Sequence, residues 1–245
     1  MTRESDSAAT ETAAISRMSV RNYFALIYNI VHKDITVELR AKETVTAMLV
    51  FGLLVIVVFS FAFPLGIQEQ RVIGPGLLWV AFTFAGVLGL NHTFSAEQEN
   101  STIHGMMLSP MPRSVLYVGK LISNVLFMIT AELVILIIFL WFFEIRFTGR
   151  WHYLLLTLVL GTVGFASTGT LFSAISAGLR MRVFLLPILQ FPIAVPVIIA
   201  SVEATGALIN EEQLIGFFDW INLLLVFNVI FITVSILLFD YILEE

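Results

Sequence analysis

Long apolar stretches separated by shorter polar segments dominate the sequence. A transmembrane helix needs roughly 20 predominantly apolar residues to cross the hydrocarbon core of a bilayer. Six stretches meet this requirement, at residues 45–65, 76–94, 121–143, 153–172, 183–202 and 220–243. We therefore predict an all-α integral membrane protein in which residues 44–245 form one transmembrane domain of six helices.

The segment before the first apolar stretch, residues 19–43, has an amphipathic pattern. Its apolar residues recur at helical spacing, with charged residues on the rest of the helical wheel. These apolar positions are Val20, Phe24, Ile27, Val31, Ile35 and Leu39. Ser19 is suited to the N-cap. The pattern predicts a helix that lies in the membrane interface with its apolar side toward lipid. A generic anchor beside the membrane and a specific functional elbow both fit it.

Composition excludes an ordinary soluble protein. The chain is 58% hydrophobic and only 13% charged, whereas about a quarter of the residues in a soluble domain carry charge. The chain has no cysteine, which excludes disulfides, thiolate catalysis and cysteine metal sites. Residues 1–18 are rich in Ser, Thr and Ala and contain no apolar core. We expect them to form a disordered tail and not a secretory signal peptide.

The distribution of basic residues predicts the orientation, because cytoplasmic loops of membrane proteins carry an excess of Lys and Arg. With the N-terminus inside, the cytoplasmic segments hold Arg3, Arg17, Arg21, Lys33, Arg40, Lys42, Arg113, Lys120, Arg180 and Arg182. The outer loops hold only Arg71, Arg146 and Arg150. We therefore predict that both termini are cytoplasmic.

The polar segment between the second and third stretches, residues 91–120, is the longest loop. Residues 95–108 can form a short helix with two acidic residues in its first turn, where negative charge suits the helix dipole. An apolar, Met-rich patch follows, and Met adapts well to irregular partner grooves. The candidate contact residues for a partner are Glu97, Glu99, Ile103, Met106, Met107, Leu108, Pro110 and Arg113. An ordinary amphipathic loop that packs on its own bundle fits the spacing equally well.

Several short matches along residues 30–240 resemble one family. They are Gly76-Leu77-Leu78-Trp79-Val80-Ala81, Glu97, Leu108, Pro110, Gly119-Lys120, Leu160-Gly161-Thr162, Gly178-Leu179-Arg180 and the prolines 187, 192 and 196. This order resembles the type-2 ABC exporter permeases and, more closely, the CcmB family. The tail of about 18 residues looks longer than is usual for that family.

The resemblance implies a role in c-type cytochrome maturation at the bacterial inner (cytoplasmic) membrane. CcmB proteins act with the ATPase CcmA and the membrane proteins CcmC and CcmD in a complex that frees haem-loaded CcmE. It also implies a homodimer or a paired permease, since six helices are half of the usual ABC membrane unit. Haem is then a cargo of the complex. We expect no cofactor bound by this chain alone and no nucleic-acid partner.

The sequence lacks a phosphate-binding loop of the form G-x-x-x-x-G-K-[ST]. Its one Gly-Lys pair, Gly119-Lys120, has Ser114 in place of the first glycine and is followed by Leu121. If transport is driven by ATP, the ATPase is therefore another chain.

Two apolar stretches contain residues that are costly in lipid. Glu132 lies near the middle of the third stretch, so we expect it to be buried and either paired or protonated, with the fourth stretch or a dimer mate as its partner. Pro187, Pro192 and Pro196 lie in the fifth. They predict a kinked or interrupted helix that faces protein or a cavity. A structural role and a place in a transport pathway are both open for these four residues.

The fourth stretch is rich in small residues, which let helices approach closely in lipid. One face repeats every four residues as Ala166, Thr170, Ala174 and Gly178. Both static packing and an interface that slides between transport states fit this pattern.

The four histidines, His32, His92, His104 and His152, do not share a face of any predicted helix. There is also no C-x-x-C-H haem-attachment motif, so we expect no haem site in this chain alone. Other functions stay open: an ABC-2 exporter for lipid, polysaccharide or drug, or a secondary carrier that uses Glu132 as a proton relay. An intramembrane enzyme is disfavoured, because the sequence has neither an H-E-x-x-H nor a G-x-S-x-G motif.

Overall fold

A computed structural model describes residues 20–62, 66–93, 112–143, 145, 150–177, 182–210 and 214–242. Over these residues the chain forms seven helices and no strand. They are α1 (Val20–Ala41), α2 (Glu43–Ala62), α3 (Ile67–His92), α4 (Arg113–Phe142), α5 (Trp151–Ala177), α6 (Arg182–Ile209) and α7 (Leu214–Ile242).

Helices α2 to α7 confirm the six predicted spans, since all six are long and apolar enough to cross a membrane. Helices α3 to α7 are longer than the apolar stretches predicted for them. α4 begins at Arg113, eight residues before the predicted start, because a helix continues into the polar interface after its apolar core ends. α3 likewise begins at Ile67 and runs through Pro75. Its first turn is capped by the Glu69 carboxylate, which accepts a hydrogen bond of 2.9 Å from the Gly66 backbone N–H.

The centre of the bundle is formed by α3 and α5. In their most apolar stretches 67% and 72% of the residues are buried, against 22% to 33% in the other spans. α5 packs against α4, α6 and α7, and α3 packs against α2, α6 and α4. The outward faces remain apolar, as shown by Phe61 and Trp141, which are 81% and 76% exposed. Such a surface suits lipid as its solvent.

The small residues of α5 explain its central place. Gly161, Ala166 and Thr170 are buried, and α5 makes its most extensive contact with α6. Small side chains let the backbones of two helices approach closely, and the helices then gain dispersion contacts along their whole interface. The prediction that this helix packs tightly is confirmed, and its sliding between states stays a prediction.

Helix α6 corrects part of the proline prediction. The helix is continuous from Arg182 to Ile209 through all three prolines, so an interruption, one of the two expected alternatives, is wrong, and a kink stays a prediction. Pro192 and Pro196 are exposed and Pro187 is half-buried, whereas Gln190, Ala194 and the residues in line with them face the bundle. Pro187, five residues before Pro192, lies on a different side of the helix, whereas Pro192 and Pro196 are four residues apart and share its outer face. That position does not place Pro192 or Pro196 in a cavity.

Helix α1 confirms the predicted amphipathic helix, but its apolar stripe is divided between two environments. Ile27 and Ile30 are buried, and α1 packs mainly against α4. Phe24 and Leu39 are 66% and 67% exposed. Gly119 of α4 makes the approach possible, because a Cβ atom at this position would lie 2.8 Å from Ile30 Cγ2. Part of the stripe that was expected to face lipid therefore faces α4.

A single residue, Lys42, separates α1 from α2, and its φ is 56°. The Lys42 backbone N–H donates to the Glu38 carbonyl over 2.6 Å. The Glu38 carboxylate accepts a hydrogen bond of 2.9 Å from the Val45 backbone N–H and so caps the start of α2.

The left-handed backbone of Lys42 predicts that Lys42→Gly stabilises the protein by about 1 kcal/mol, because a side chain with a Cβ pays to adopt this conformation. Lys42→Val should destabilise it. Thermal unfolding in detergent measures both changes. The matched control, Ala41→Gly, places glycine in the last helical residue of α1 and should lower stability. A Lys42→Gly protein that loses stability as the control does would contradict the strain.

Candidate functional site

Most of the residues predicted to contact a partner lie outside the described part of the chain. These are Glu97, Glu99, Ile103, Met106, Met107, Leu108 and Pro110. Arg113 is described and is the first residue of α4. The structure does describe both ends of this segment, at Thr93 and at Pro112.

A polar cluster lies where the segment leaves α3 and enters α4. Lys120 of α4 places its Nζ atom 3.1 Å from Asp34 Oδ1 of α1 and 3.2 Å from the carbonyl oxygen of Thr93. The Lys120 side chain is 3% exposed and that of Asp34 is 10% exposed. We call Asp34, Thr93, Lys120 and Asn124 the loop-end cluster.

The cluster continues from Thr93 toward α5. Thr93 Oγ1 donates to Asn124 Oδ1 over 2.9 Å. Asn124 Nδ2 donates in turn to Thr170 Oγ1 over 2.9 Å. The chain of hydrogen bonds therefore links α1, α3, α4 and α5.

A second polar site lies in the middle of the bundle around Glu132. This residue is 2% exposed, and Thr162 Oγ1 of α5 lies 2.6 Å from Glu132 Oε2. The prediction that Glu132 is buried is confirmed, and its partner belongs to the fourth span, one of the two expected places. A cavity of about 10 Å³ lies beside Glu132, close to the space that one water needs, and its lining is mostly apolar. The lining residues are Trp79, Phe82, Thr83, Met128, Glu132, Gly161, Thr162, Phe165, Val197 and Ile198.

The geometry around Thr162 restricts where the hydrogens lie. Thr162 Oγ1 is also 2.7 Å from the Leu158 carbonyl oxygen, and a hydroxyl has a single hydrogen to donate. Thr162 therefore donates either to the Glu132 carboxyl or to the Leu158 carbonyl, and when it donates to Leu158 a protonated Glu132 can donate to Thr162 Oγ1.

Side-chain amides and hydroxyls from three helices bind the backbone of α5. Tyr117 of α4 donates to the Ser167 carbonyl over 3.0 Å. Gln190 of α6 donates to the Phe165 carbonyl over 2.8 Å, and Asn228 of α7 donates to the Leu160 carbonyl over 3.0 Å. These bonds orient α5 relative to its neighbours.

The histidines form no common site among the described residues. His32, His92 and His152 are exposed, and His104 lies outside the described part. Within the described ranges no group of three metal-binding side chains occurs. That the chain alone holds no haem stays a prediction.

Sequence reasoning found Glu132 but missed the loop-end cluster. In the sequence, Lys120 stands out only as a basic residue of a cytoplasmic segment, and Asp34 belongs to the charged residues of the amphipathic segment 19–43. Residues 34 and 120 share no motif that would pair them. The available signal was that Asp34 lies three residues after Val31 and seven after Ile27 and so shares the apolar face of this helix, where a buried acidic residue needs a basic partner.

The fold and sites define a multi-pass, all-helical membrane protein with a buried carboxyl and a polar cluster at one end of its bundle. The family model described as "CcmB protein" matches residues 25–241. The chain therefore belongs to the CcmB family, which confirms the resemblance.

Bacterial relatives named "Heme exporter protein B" agree with this family. That of Pseudomonas aeruginosa is 30% identical over 174 residues, which are 71% of this chain and 77% of the relative. That of Bradyrhizobium diazoefficiens is 25% identical over 192 residues, 76% and 84% of the two chains. That of Haemophilus influenzae is 26% identical over 188 residues, 74% and 83% of the two chains.

Proposed function

We propose that this chain is the membrane permease subunit of a haem export system for c-type cytochrome maturation. The match to the CcmB family over residues 25–241 carries the proposal. The six spans support a transport subunit. The sequence contains no phosphate-binding loop, so the proposal assigns ATP hydrolysis to a partner chain.

The proposed docking site for the ATPase is the segment between α3 and α4. The acidic residues Glu97 and Glu99 and the Met-rich patch after them are its contact residues, with Arg113 at the start of α4. The excess of Lys and Arg on the same side supports a cytoplasmic position for this segment and for both termini. The membrane is then the bacterial inner membrane.

The proposed partners follow from the family. They are a CcmA-like ATPase together with CcmC-, CcmD- and CcmE-like proteins, and a second copy of this chain completes the usual ABC membrane unit. Haem is the proposed cargo of the complex, bound by no site of this chain alone.

The proposal is tested by a pulldown in mild detergent that compares the native chain with the double variant Glu97→Lys and Glu99→Lys. The native chain should retain an ATPase subunit. The variant should lose it, with a fall in c-type cytochromes of about tenfold or more, as expected when hot-spot contacts of an interface are reversed in charge.

The acidic pair Glu211 and Glu212 offers a matched control, since it precedes α7 on the predicted outer side. Changing both to Lys should leave ATPase binding intact. Unchanged binding and unchanged cytochromes in the Glu97 and Glu99 variant would contradict the docking role. A native chain that retains no ATPase would contradict the permease assignment.

One observation favours a second function. The buried carboxyl of Glu132 beside a small cavity could relay protons in a secondary carrier. Such a carrier needs no ATPase, so the same pulldown separates it from the permease. An ABC-2 exporter of lipid, polysaccharide or drug would also retain an ATPase in the pulldown. Cells that lack such an exporter would lose an envelope or resistance trait and keep their c-type cytochromes.

A further inference from the structure

We infer that the loop-end cluster is a coupling clamp: Lys120 of α4 ties α1 to the end of α3, so that α1, α3 and α4 move together when a partner pushes the segment between α3 and α4. The inference rests on the proposed function for the source of the push. Asp34 and Lys120 act in it as positioning residues.

The clamp joins parts of the chain that are distant in sequence. Thr93 is the last described residue before the segment, and Lys120 lies in the second turn of the helix that follows it. One ammonium group contacts Asp34 of α1 and the Thr93 carbonyl at the end of α3. A displacement at either end of the segment therefore reaches the same atom.

Burial makes this connection stiff. Lys120 is 3% exposed, and separating a buried ion pair leaves a charge without compensation in a medium of low dielectric constant. The carbonyl of Thr93 lies at the C-terminus of α3, where the helix dipole favours a cation. The neighbouring pair of Lys33 and Asp34, at 3.2 Å, differs because the Lys33 side chain is 41% exposed and is screened by solvent.

The clamp also reaches the centre of the bundle. Thr93 bonds Asn124, and Asn124 bonds Thr170 in α5, the most buried span. One residue before Lys120, Gly119 lets Ile30 of α1 pack directly on α4. Motion of the segment ends is therefore passed through direct contacts and does not require a diffuse path.

The test removes both charges at once, with the double variant Asp34→Asn and Lys120→Met, so that neither member of the pair is left as a charge without the other. The variant should still be found in the membrane and bind the ATPase. Cytochrome c matured per ATP hydrolysed should fall about fivefold or more, the lower end of typical coupling strengths. The control Lys33→Met should leave this ratio unchanged.

A disulfide supplies the rescue, because the chain has no native cysteine. A Cβ atom on Gly119 would lie 3.0 Å from Ile30 Cβ, which is closer than the about 3.5–4.5 Å that separates Cβ atoms in disulfides, so the two helices need to separate slightly for the bond to form. Ile30→Cys with Gly119→Cys in the double variant should restore the ratio to within about twofold of native on oxidation, and a reductant should reverse the gain. A formed disulfide that restores nothing would overturn the clamp.

The same cysteine pair in the otherwise native chain keeps the test independent of the double variant's folding. Helices that move as one unit tolerate a cross-link between them, so oxidation should leave the amount of cytochrome c matured per ATP hydrolysed unchanged. A fall in this ratio on oxidation would overturn the clamp. So would a native ratio in the Asp34→Asn and Lys120→Met variant, or failure of that variant to bind the ATPase.

A distance measurement separates failure of the clamp from failure of the proposed function. Nitroxide labels at the exposed positions Asn29→Cys of α1 and Ile122→Cys of α4 report the separation of these helices in the chain alone, in lipid nanodiscs. The distance distribution should broaden in the double variant. This measurement needs no ATPase, so it tests the clamp even if the native chain retains none in the pulldown. An unchanged distance distribution in the double variant would overturn the clamp.

Discussion

Replacing Glu132 by lysine is expected to abolish the accumulation of folded protein in the membrane. The side chain is 2% exposed and is surrounded by the apolar lining of the central cavity. An ammonium group there costs at least about 2.5–3.5 kcal/mol. Thr162 can donate to a carboxyl but cannot neutralise a lysine, so the charge would have no compensating partner in the observed site.

Two replacements at the same position serve as matched controls. Glu132→Gln keeps the shape and can donate to Thr162 Oγ1 through its amide. Glu132→Leu removes the polar group and leaves Thr162 bonded to the Leu158 carbonyl, so it leaves no buried donor unsatisfied. Both should accumulate near the native level when membranes are assayed by detergent-solubilised size exclusion and thermal unfolding.

The glutamine variant also distinguishes a structural role from proton relay. A structural Glu132 predicts that Glu132→Gln supports near-native cytochrome maturation, whereas a relay predicts loss of transport without loss of folding. Native levels of folded Glu132→Lys would show that the position is not enclosed as the structure describes it.

Gly161→Val is expected to prevent α5 from packing into the bundle. A Cβ atom at this position would overlap the ring of Trp79 and lie 2.5 Å from Ser201 Oγ. The Trp79 ring has no room to swing aside, since it is 4% exposed and its Nε1 donates to Thr205 Oγ1 over 2.9 Å. Overpacking of a well-packed core costs about 1–3 kcal/mol and occasionally more.

Gly76→Val is the matched control for this change. Gly76 lies in α3. Apart from its two chain neighbours and the nearby backbone of its own helix, no atom lies within 4 Å of a Cβ added at this position. The two variants thus introduce the same side chain into two central helices. Thermal unfolding should show a large loss for Gly161→Val and little change for Gly76→Val, and equal effects would contradict the close contact of α5 with Trp79.

The apolar pattern was sufficient to predict the spans and the character of α1, because burial in lipid demands long apolar helices wherever they pack. It could not predict the ends of the helices. Polar residues such as those in the first two turns of α4 remain helical beyond the apolar core, and no hydrophobic count detects them.

The prediction for Glu132 succeeded while that for the prolines partly failed, for one physical reason. A carboxyl in the middle of an apolar span has a large desolvation cost, so its burial against a polar partner follows from its position alone. A proline carries no charge, and the face it occupies depends on which neighbours the helix finds. In α6 the face that carries Gln190 packs against the bundle, so Pro192 and Pro196 lie on the exposed side of the helix.

The sequence by itself determined that this protein lives in a membrane, crosses it six times and belongs to a transport family, since composition, length and motif order suffice for each. Only the tertiary structure decided that Asp34 meets Lys120 and the end of α3. That contact depends on α1 folding back along α4 at Gly119. Long-range packing of this kind is set by shape complementarity between faces, and spacing along a single helix does not encode it.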